Sequence, residues 1–198
     1  MSQKKFTRLY LLRHGATTAA QGCLVGSTDL PLSGHGLSRL TSLLPHFQQV
    51  EHWQCSPLRR TRQTLEQLRQ QGCSINNPVY DQRLREIDFG RWEMKTFAEI
   101  ATGDSARIED WQRYTDFVFP GGEAVADFVR RTDEILHMFT VMGGNIGVVT
   151  HGGVIRTMIC LALGVPIRNY LLFDVQPASL TIVDVFSSGG GVLCGLNL

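Results

Sequence analysis

An excess of charge of either sign is the first thing this chain lacks. Nineteen Lys and Arg face eighteen Asp and Glu, a formal charge of +1, and charged residues make up only 19% of the 198. That balance excludes the global basic field that nucleic acid or an anionic membrane surface selects, so any affinity for anions must be local. No apolar run is long enough to span a bilayer. The basic start, Met1-Ser2-Gln3-Lys4-Lys5, leads into a short apolar run that reads as a first strand and not a signal peptide, which makes the cytosol the expected location. Cysteine is sparse and scattered: Cys23, Cys55, Cys73, Cys160 and Cys194 show no C-x-x-C spacing. An odd, dispersed set fits reduced thiols better than a disulfide frame or a zinc site. Cys160 falls in an apolar helix and is expected in the core, and no cysteine is assigned a catalytic role. Repeats and linkers are also missing, so a single domain over residues 1–198 is expected.

What is present is a globular composition, 43% hydrophobic, patterned as alternating strands and helices. Residues 6–12 read as a strand, 51–55 as a second, Pro78-Val79-Tyr80 as a short third and 146–150 as a fourth. Ser33 could cap a helix running to about Phe47, with Leu37, Leu40 and Leu44 on one face. Ser56-Pro57 reads as a helix start, Ser as N-cap and Pro in the first position, with Leu58, Thr61, Leu65 and Leu68 inward. From Asp81 to Gly122 the periodicity weakens, and this segment reads as a helical excursion, with short helices near 94–101 and 105–115, covering one side of a pocket. A long helix follows from Glu123 to Met142. An apolar helix runs from Gly153 to Leu163 and is ended by Gly164 and Pro166. Residues 170–175, 179–186 and 191–196 read as closing strands, with a hairpin turn at Ser187-Ser188-Gly189-Gly190.

The chemistry is concentrated at two strand ends. Leu9-Tyr10-Leu11-Leu12 runs into Arg13-His14-Gly15, and Ile146-Gly147-Val148-Val149-Thr150 runs into His151-Gly152-Gly153. In an α/β fold, ligands bind in the crevice beyond the carboxyl ends of the strands. Two histidines and an arginine there would make a phosphate pocket, and a neutral imidazole is a competent nucleophile toward phosphorus. Ser56 to Thr64 adds arginines to the first turns of a helix, where free N–H groups already favour anions. Arg59, Arg60 and Arg62 lie on different helix faces, so at least one of them must be solvated. In Leu84 to Glu93, a carboxyl among apolar and aromatic neighbours could serve as a proton donor. Glu86, Asp88 and Glu93 have similar claims to that role.

Taken together these pieces resemble the histidine phosphatase superfamily, which contains the cofactor-dependent phosphoglycerate mutases. The resemblance rests on Arg13-His14-Gly15 with Thr17, the loop Thr28-Asp29-Leu30-Pro31-Leu32-Ser33, Ser56 to Thr64 with its Arg-x-x-Gln-Thr ending, Glu86 followed by Phe89-Gly90, the turn Pro120-Gly121-Gly122-Glu123, and Thr150-His151-Gly152-Gly153. It implies an α/β three-layer sandwich, a mostly parallel central sheet flanked by helices. It also implies catalytic roles for His14, which would become phosphorylated, for Glu86 as proton donor, and for His151. Arg13, Arg60, Thr17, Gly26 and Gly152 would bind substrate, with no metal and no cofactor. The motif register selects Arg60 over Arg59. The family often has Glu where Ala16 stands and Asn where Ala20 stands, so one phosphate donor is missing here. Phe89-Gly90-Arg91-Trp92-Glu93-Met94 looks most like the α-ribazole phosphatase branch, whose substrate is a nucleotide-like precursor of the cobalamin lower ligand. The alternatives are a phosphoglycerate mutase, a broad-specificity sugar-phosphate phosphatase, or a non-catalytic scaffold that binds phosphorylated ligands. The implied partner is a small phosphorylated metabolite, not nucleic acid or membrane. The strands expected near 170–186 offer a surface on which two copies could form a homodimer.

Overall fold

The first strand explains the architecture. In β1 (Phe6–Arg13), Leu9 and Leu11 enter one hydrophobic core while Tyr10 and Leu12 enter another. A run such as Leu9 to Leu12, apolar at every position, is buried on both faces, which requires helices above and below the sheet. The computed structural model describes residues 6–34, 37–113 and 116–198 and has this form. β2 (His52–Cys55), β3 (Val79–Tyr80), β4 (Gly144–Thr150), β5 (Leu180–Phe186) and β6 (Gly191–Gly195) complete a six-stranded sheet of order β3-β2-β4-β1-β5-β6. The first four in that order run parallel, and β5 and β6 pair antiparallel.

One face is covered by α1 (Arg39–Leu43) and α2 (Arg59–Gln70), through Leu40, Leu43, Leu65 and Leu68. α4 (Val125–Met142) and α5 (Gly152–Leu163) cover the other, joined by Leu84, Trp92, Phe117 and Phe119 of the intervening segment. That segment carries α3 (Phe97–Arg113), kinked at Asp104. The two short helices expected there are the halves of this kinked one, and the far end of the second, at 114–115, lies outside the described residues. α5 stops at Gly164, whose φ of 66° is left-handed. No helix is long and apolar enough to cross a membrane.

Three expectations need correction. The helix expected from Ser33 begins at Arg39 with no side-chain cap. It gives way to a 3₁₀ helix at Leu44–Gln49, because Pro45 has no N–H and its ring clashes with the preceding turn. Ser33 instead donates from N and Oγ to the Ala16 carbonyl, while residues 35 and 36 of the expected helix lie outside the described residues. Ser56 is not the N-cap of α2. That position is Leu58, and the first helical N–H, on Arg59, is accepted by Asp29 Oδ1 at 2.5 Å. The strand expected at 170–175 is absent: Ile167–Leu172 is a 3₁₀ helix. The carbonyls of Phe173 and Val175 are taken by Arg156 and Arg13 and are not used in a ladder. Of the strands expected near 170–186, only β5 forms, and it lies between β1 and β6 with no free edge.

Candidate active site

Register brings the two histidines together. Arg13 pairs with Thr150 at the ends of β1 and β4, so His14 and His151 follow side by side. Their rings lie 5.1 Å apart, edge to face. Ser56, just past the end of β2, joins them: its N–H is bound by the Val149 carbonyl, and its Oγ lies 2.7 Å from His151 Nε2. Gly15 N donates to Thr64 Oγ1, and Leu32 N donates to Gln63 Oε1. The Gln-Thr of the α2 motif is therefore structural and holds the loop after β1.

The tautomer of His14 is set by its surroundings. Its Nδ1 lies 2.7 Å from the Gly15 carbonyl, which can only accept, so Nδ1 carries the proton and Nε2 keeps its lone pair. Burial holds this imidazole well below its usual pKa, aided by Arg60 and Arg13 and opposed by the Gly15 bond. His151, fully buried, is lowered in the same way by burial and then by Arg60, His14 and Arg13. Both imidazoles are thereby pushed toward the neutral form, and the charge of a bound anion would act in the opposite direction.

Of the three arginines in the first turns of α2, one points inward. Arg60 is fully buried, Arg59 is exposed, and Arg62 is exposed and lies over the Tyr80 ring. Arg60 donates from Nε to His14 Nε2 (3.2 Å), from Nη1 to the Thr28 carbonyl (2.8 Å) and from Nη2 to the Gly26 carbonyl (2.7 Å). Burial lowers its pKa, while Glu86, Asp29 and Glu93 oppose that and keep it cationic. Arg13 is brought down to about 10, by burial above all, and donates from Nη1 to the Val175 carbonyl at 2.5 Å. Arg13 Nε and His151 Nδ1 are buried with no hydrogen-bond partner among the described residues. A buried polar atom left so costs about 1–3 kcal/mol, which a bound anion would recover.

The three candidate carboxylates separate by geometry. Glu86 is buried and accepts at Oε2 from Gly153 N (2.9 Å), in the first turn of α5 beside His151. A Cβ on Gly153 would collide with Glu86 Oε1, so only glycine admits the carboxylate there. Glu93 instead accepts from the N–H groups of Gly26, Ser27, Thr28 and Phe89, and from Thr28 Oγ1. It organises the loop whose carbonyls receive Arg60. Asp88 closes a local turn onto Gly90 N. Gly26 is held between Arg60 and the Ile87 backbone, where a Cβ would collide with the Ile87 carbonyl. Gly152 lies under Arg13: a Cβ there would sit 3.3 Å from Arg13 Nε. Thr17 is half-buried, bridges to Leu32, and turns its Oγ1 to Ala19 N. Ala20 is exposed and brings no side-chain donor.

Sequence reasoning missed Arg156. It lies one turn into α5, with Nη1 3.4 Å from where a Gly152 Cβ would stand, and donates from Nε to the Phe173 carbonyl. The signal was a lone cation in an otherwise apolar helix next to His151-Gly152-Gly153. Arg156 and Glu86 edge a cavity of about 270 Å³ walled by Phe89, Phe97, Trp111, Phe119, Phe128 and Tyr170. Among the described residues that line this cavity, Arg156 is the only cation.

A sequence model of the histidine phosphatase superfamily (branch 1) matches residues 9–197. The chain is 30% identical over 190 residues to an adenosylcobalamin/alpha-ribazole phosphatase of Salmonella typhimurium, covering 90% of each chain. It is also 30% identical over 192 residues to the protein of that name from Escherichia coli, again covering 90% of each. The solved alpha-ribazole phosphatase of Shigella flexneri superposes with a TM-score of 0.83 at 26% identity, over 97% of this chain and 96% of that one.

Proposed function

We propose, from the premise that this chain belongs to the histidine phosphatase superfamily and is a phosphoric monoester hydrolase, that it works through a phosphohistidine on His14 and that its substrate is α-ribazole 5′-phosphate. The observation that carries the first part is the bond from His14 Nδ1 to the Gly15 carbonyl, which leaves Nε2 unprotonated, with its lone pair toward Arg60 in a cationic pocket. A transferring phosphoryl group spreads charge over three equatorial oxygens, and the protein mainly positions and neutralises it. Arg13, Arg60 and the unpartnered nitrogen of His151 are placed to do that. His14 Nε2 attacks phosphorus as the bond to the leaving oxygen breaks. Glu86, as the acid, passes its proton to that oxygen. The resulting carboxylate then takes a proton from water, whose oxygen attacks phosphohistidine and releases inorganic phosphate, restoring both residues.

The substrate reading rests on the aromatic cavity beside Glu86 and on the names of the relatives. Six rings around about 270 Å³ suit a flat apolar leaving group, as in a nucleotide-like precursor of cobalamin. A cytoplasmic setting fits this role.

The test is kcat/KM over a panel of phosphomonoesters in EDTA, including α-ribazole 5′-phosphate, 3-phosphoglycerate and glucose phosphates. The expected result is turnover in EDTA with a preference for the ring-bearing ester. A preference of tenfold or more for a compact sugar phosphate would replace the substrate reading, and no turnover of any ester would replace the mechanism.

A further inference from the structure

Two pieces of the motifs remain without a part in this chemistry, Gly90 and Pro120-Gly121-Gly122-Glu123, and the structure brings them together. A Cβ on Gly90, whose φ is 55°, would strike the Pro120 carbonyl, and one on Gly122 would strike the Asp88 carbonyl. The two backbones therefore touch directly. Arg91 N donates to the Pro120 carbonyl (2.8 Å), Glu123 N to the Asp88 carbonyl (2.9 Å), and Asp88 N to Glu123 Oε2 (3.3 Å).

The joint is completed from α4 by Arg131. A guanidinium has five N–H donors in a planar fork. Nε donates to Glu123 Oε1 (2.7 Å). Nη1 donates to the carbonyls of Arg83 (2.7 Å) and Arg85 (2.6 Å). Nη2 donates to Glu123 Oε2 (2.9 Å) and to the carbonyl of Glu86 itself (3.2 Å). All five donors are used within the protein, so this cation has none left for a substrate. Its face lies over the Phe128 ring at 4.6 Å, and its side chain and that of Glu123 are only 18% and 20% exposed.

We propose that Arg131, clamped by Glu123, is the positioning residue that holds the Glu86 backbone against α4 and so sets where the Glu86 carboxyl stands relative to the leaving oxygen. This rests on the reading of Glu86 as the proton donor. Arg131 donates to the carbonyls of Arg83, Arg85 and Glu86 in the turn that carries Glu86, but touches no reacting atom. Lysine could not replace it, because an ammonium is a single point and cannot span three carbonyls and a carboxylate.

The experiment compares Arg131→Lys, Glu123→Gln and Glu86→Gln, and the Arg131→Lys/Glu86→Gln double variant, on p-nitrophenyl phosphate and on a sugar phosphate. The first leaves as an anion without help, and the second needs a proton. A displacement near 1 Å can cost about 10²-fold. Arg131→Lys is expected to lose about 10-fold or more in kcat/KM, which reports the phosphorylation step alone, on the sugar phosphate, with kcat/KM on p-nitrophenyl phosphate within about 3-fold. Glu123→Gln should show the same pattern more weakly, and it serves if Arg131→Lys does not fold. In the Glu86→Gln background, Arg131→Lys should add no further leaving-group-dependent loss. Equal losses on both substrates, or an additive loss in the double variant, would overturn the positioning role while leaving Glu86 as the acid. If Glu86→Gln itself shows no dependence on the leaving group, the acid assignment falls, and this inference falls with it.

Discussion

The cradle around His14 and the cavity beside it are built by opposite means. In the cradle, backbone fixes the side chains: Gly15 orients His14, the Gly26 and Thr28 carbonyls hold Arg60, the Val175 carbonyl holds Arg13, and Gly153 N holds Glu86. In the cavity, side chains hold one another: Phe97 stacks on Trp111 at 5.6 Å, and Trp111 and Phe89 meet Phe119 edge on at 5.5 and 5.0 Å. On the proposed mechanism, the atoms that would meet phosphorus are tied to backbone at strand ends and helix termini, whereas the contacts that would choose a leaving group are tied to other side chains. The proposal therefore makes chemistry and selectivity separable.

The comparison is put under most strain by His14→Gln. It should lower turnover by about 10⁴-fold or more on every substrate, and acid-quenched enzyme should carry no acid-labile phosphate. Retained labelling would place the nucleophile elsewhere. Next, Arg60→Ala should cost about 10²–10³-fold in kcat/KM, as for other donors aimed at developing charge, whereas exposed Arg59→Ala should stay within about 2-fold. Comparable losses would mean that Arg60 is not singled out by its burial. Gly153→Ala, which drives a methyl into Glu86 Oε1, should cost about 10–10²-fold on a sugar phosphate, whereas Gly152→Ala asks Arg13 and Arg156 to give only a few tenths of an ångström and should cost less. The cavity side is sharpened by Trp111→Ala. A roughly 10-fold loss in kcat/KM is expected for a ring-bearing ester, with a small alkyl phosphate unaffected, because buried aromatic contacts supply about 1 kcal/mol each beyond area. A loss on both would erase the proposed division.

The smallest expected effect is on stability. Both site histidines have folded-state pKa values below those of the unfolded chain. Below about pH 6.5 the unfolded chain therefore binds protons that the folded chain does not, and stability falls with pH by up to about 1.4 kcal/mol per unit for each histidine. Thermal melts between pH 7 and 5 should show this decline, and it should be shallower in His14→Gln. An identical slope in that variant would mean that His14 is already protonated in the folded state.

The sheet and its site were legible because buried strands announce themselves. Leu9 to Leu12 and Ile146 to Val149 are apolar without alternation, and each ends on a histidine and a glycine. Arg60 was legible only through motif register, because helical periodicity alone cannot choose among three arginines in one turn and a half. Glu86 could not be distinguished by local sequence from Glu93. The choice depends on Gly153, 67 positions away, offering its N–H. The cap of α2 was illegible for the same reason: Asp29 reaches it from another loop, which leaves the nearer Ser56 free for His151. The strand misread at 170–175 shows the limit of local pattern, since its carbonyls are claimed by two distant arginines.

The bond from Arg60 Nε to His14 Nε2 ties the two proposed roles together. On the proposed mechanism, a phosphate that draws the guanidinium onto its own oxygens competes with His14 for the same donor, so binding the anion and freeing the attacking nitrogen would be one exchange of hydrogen bonds.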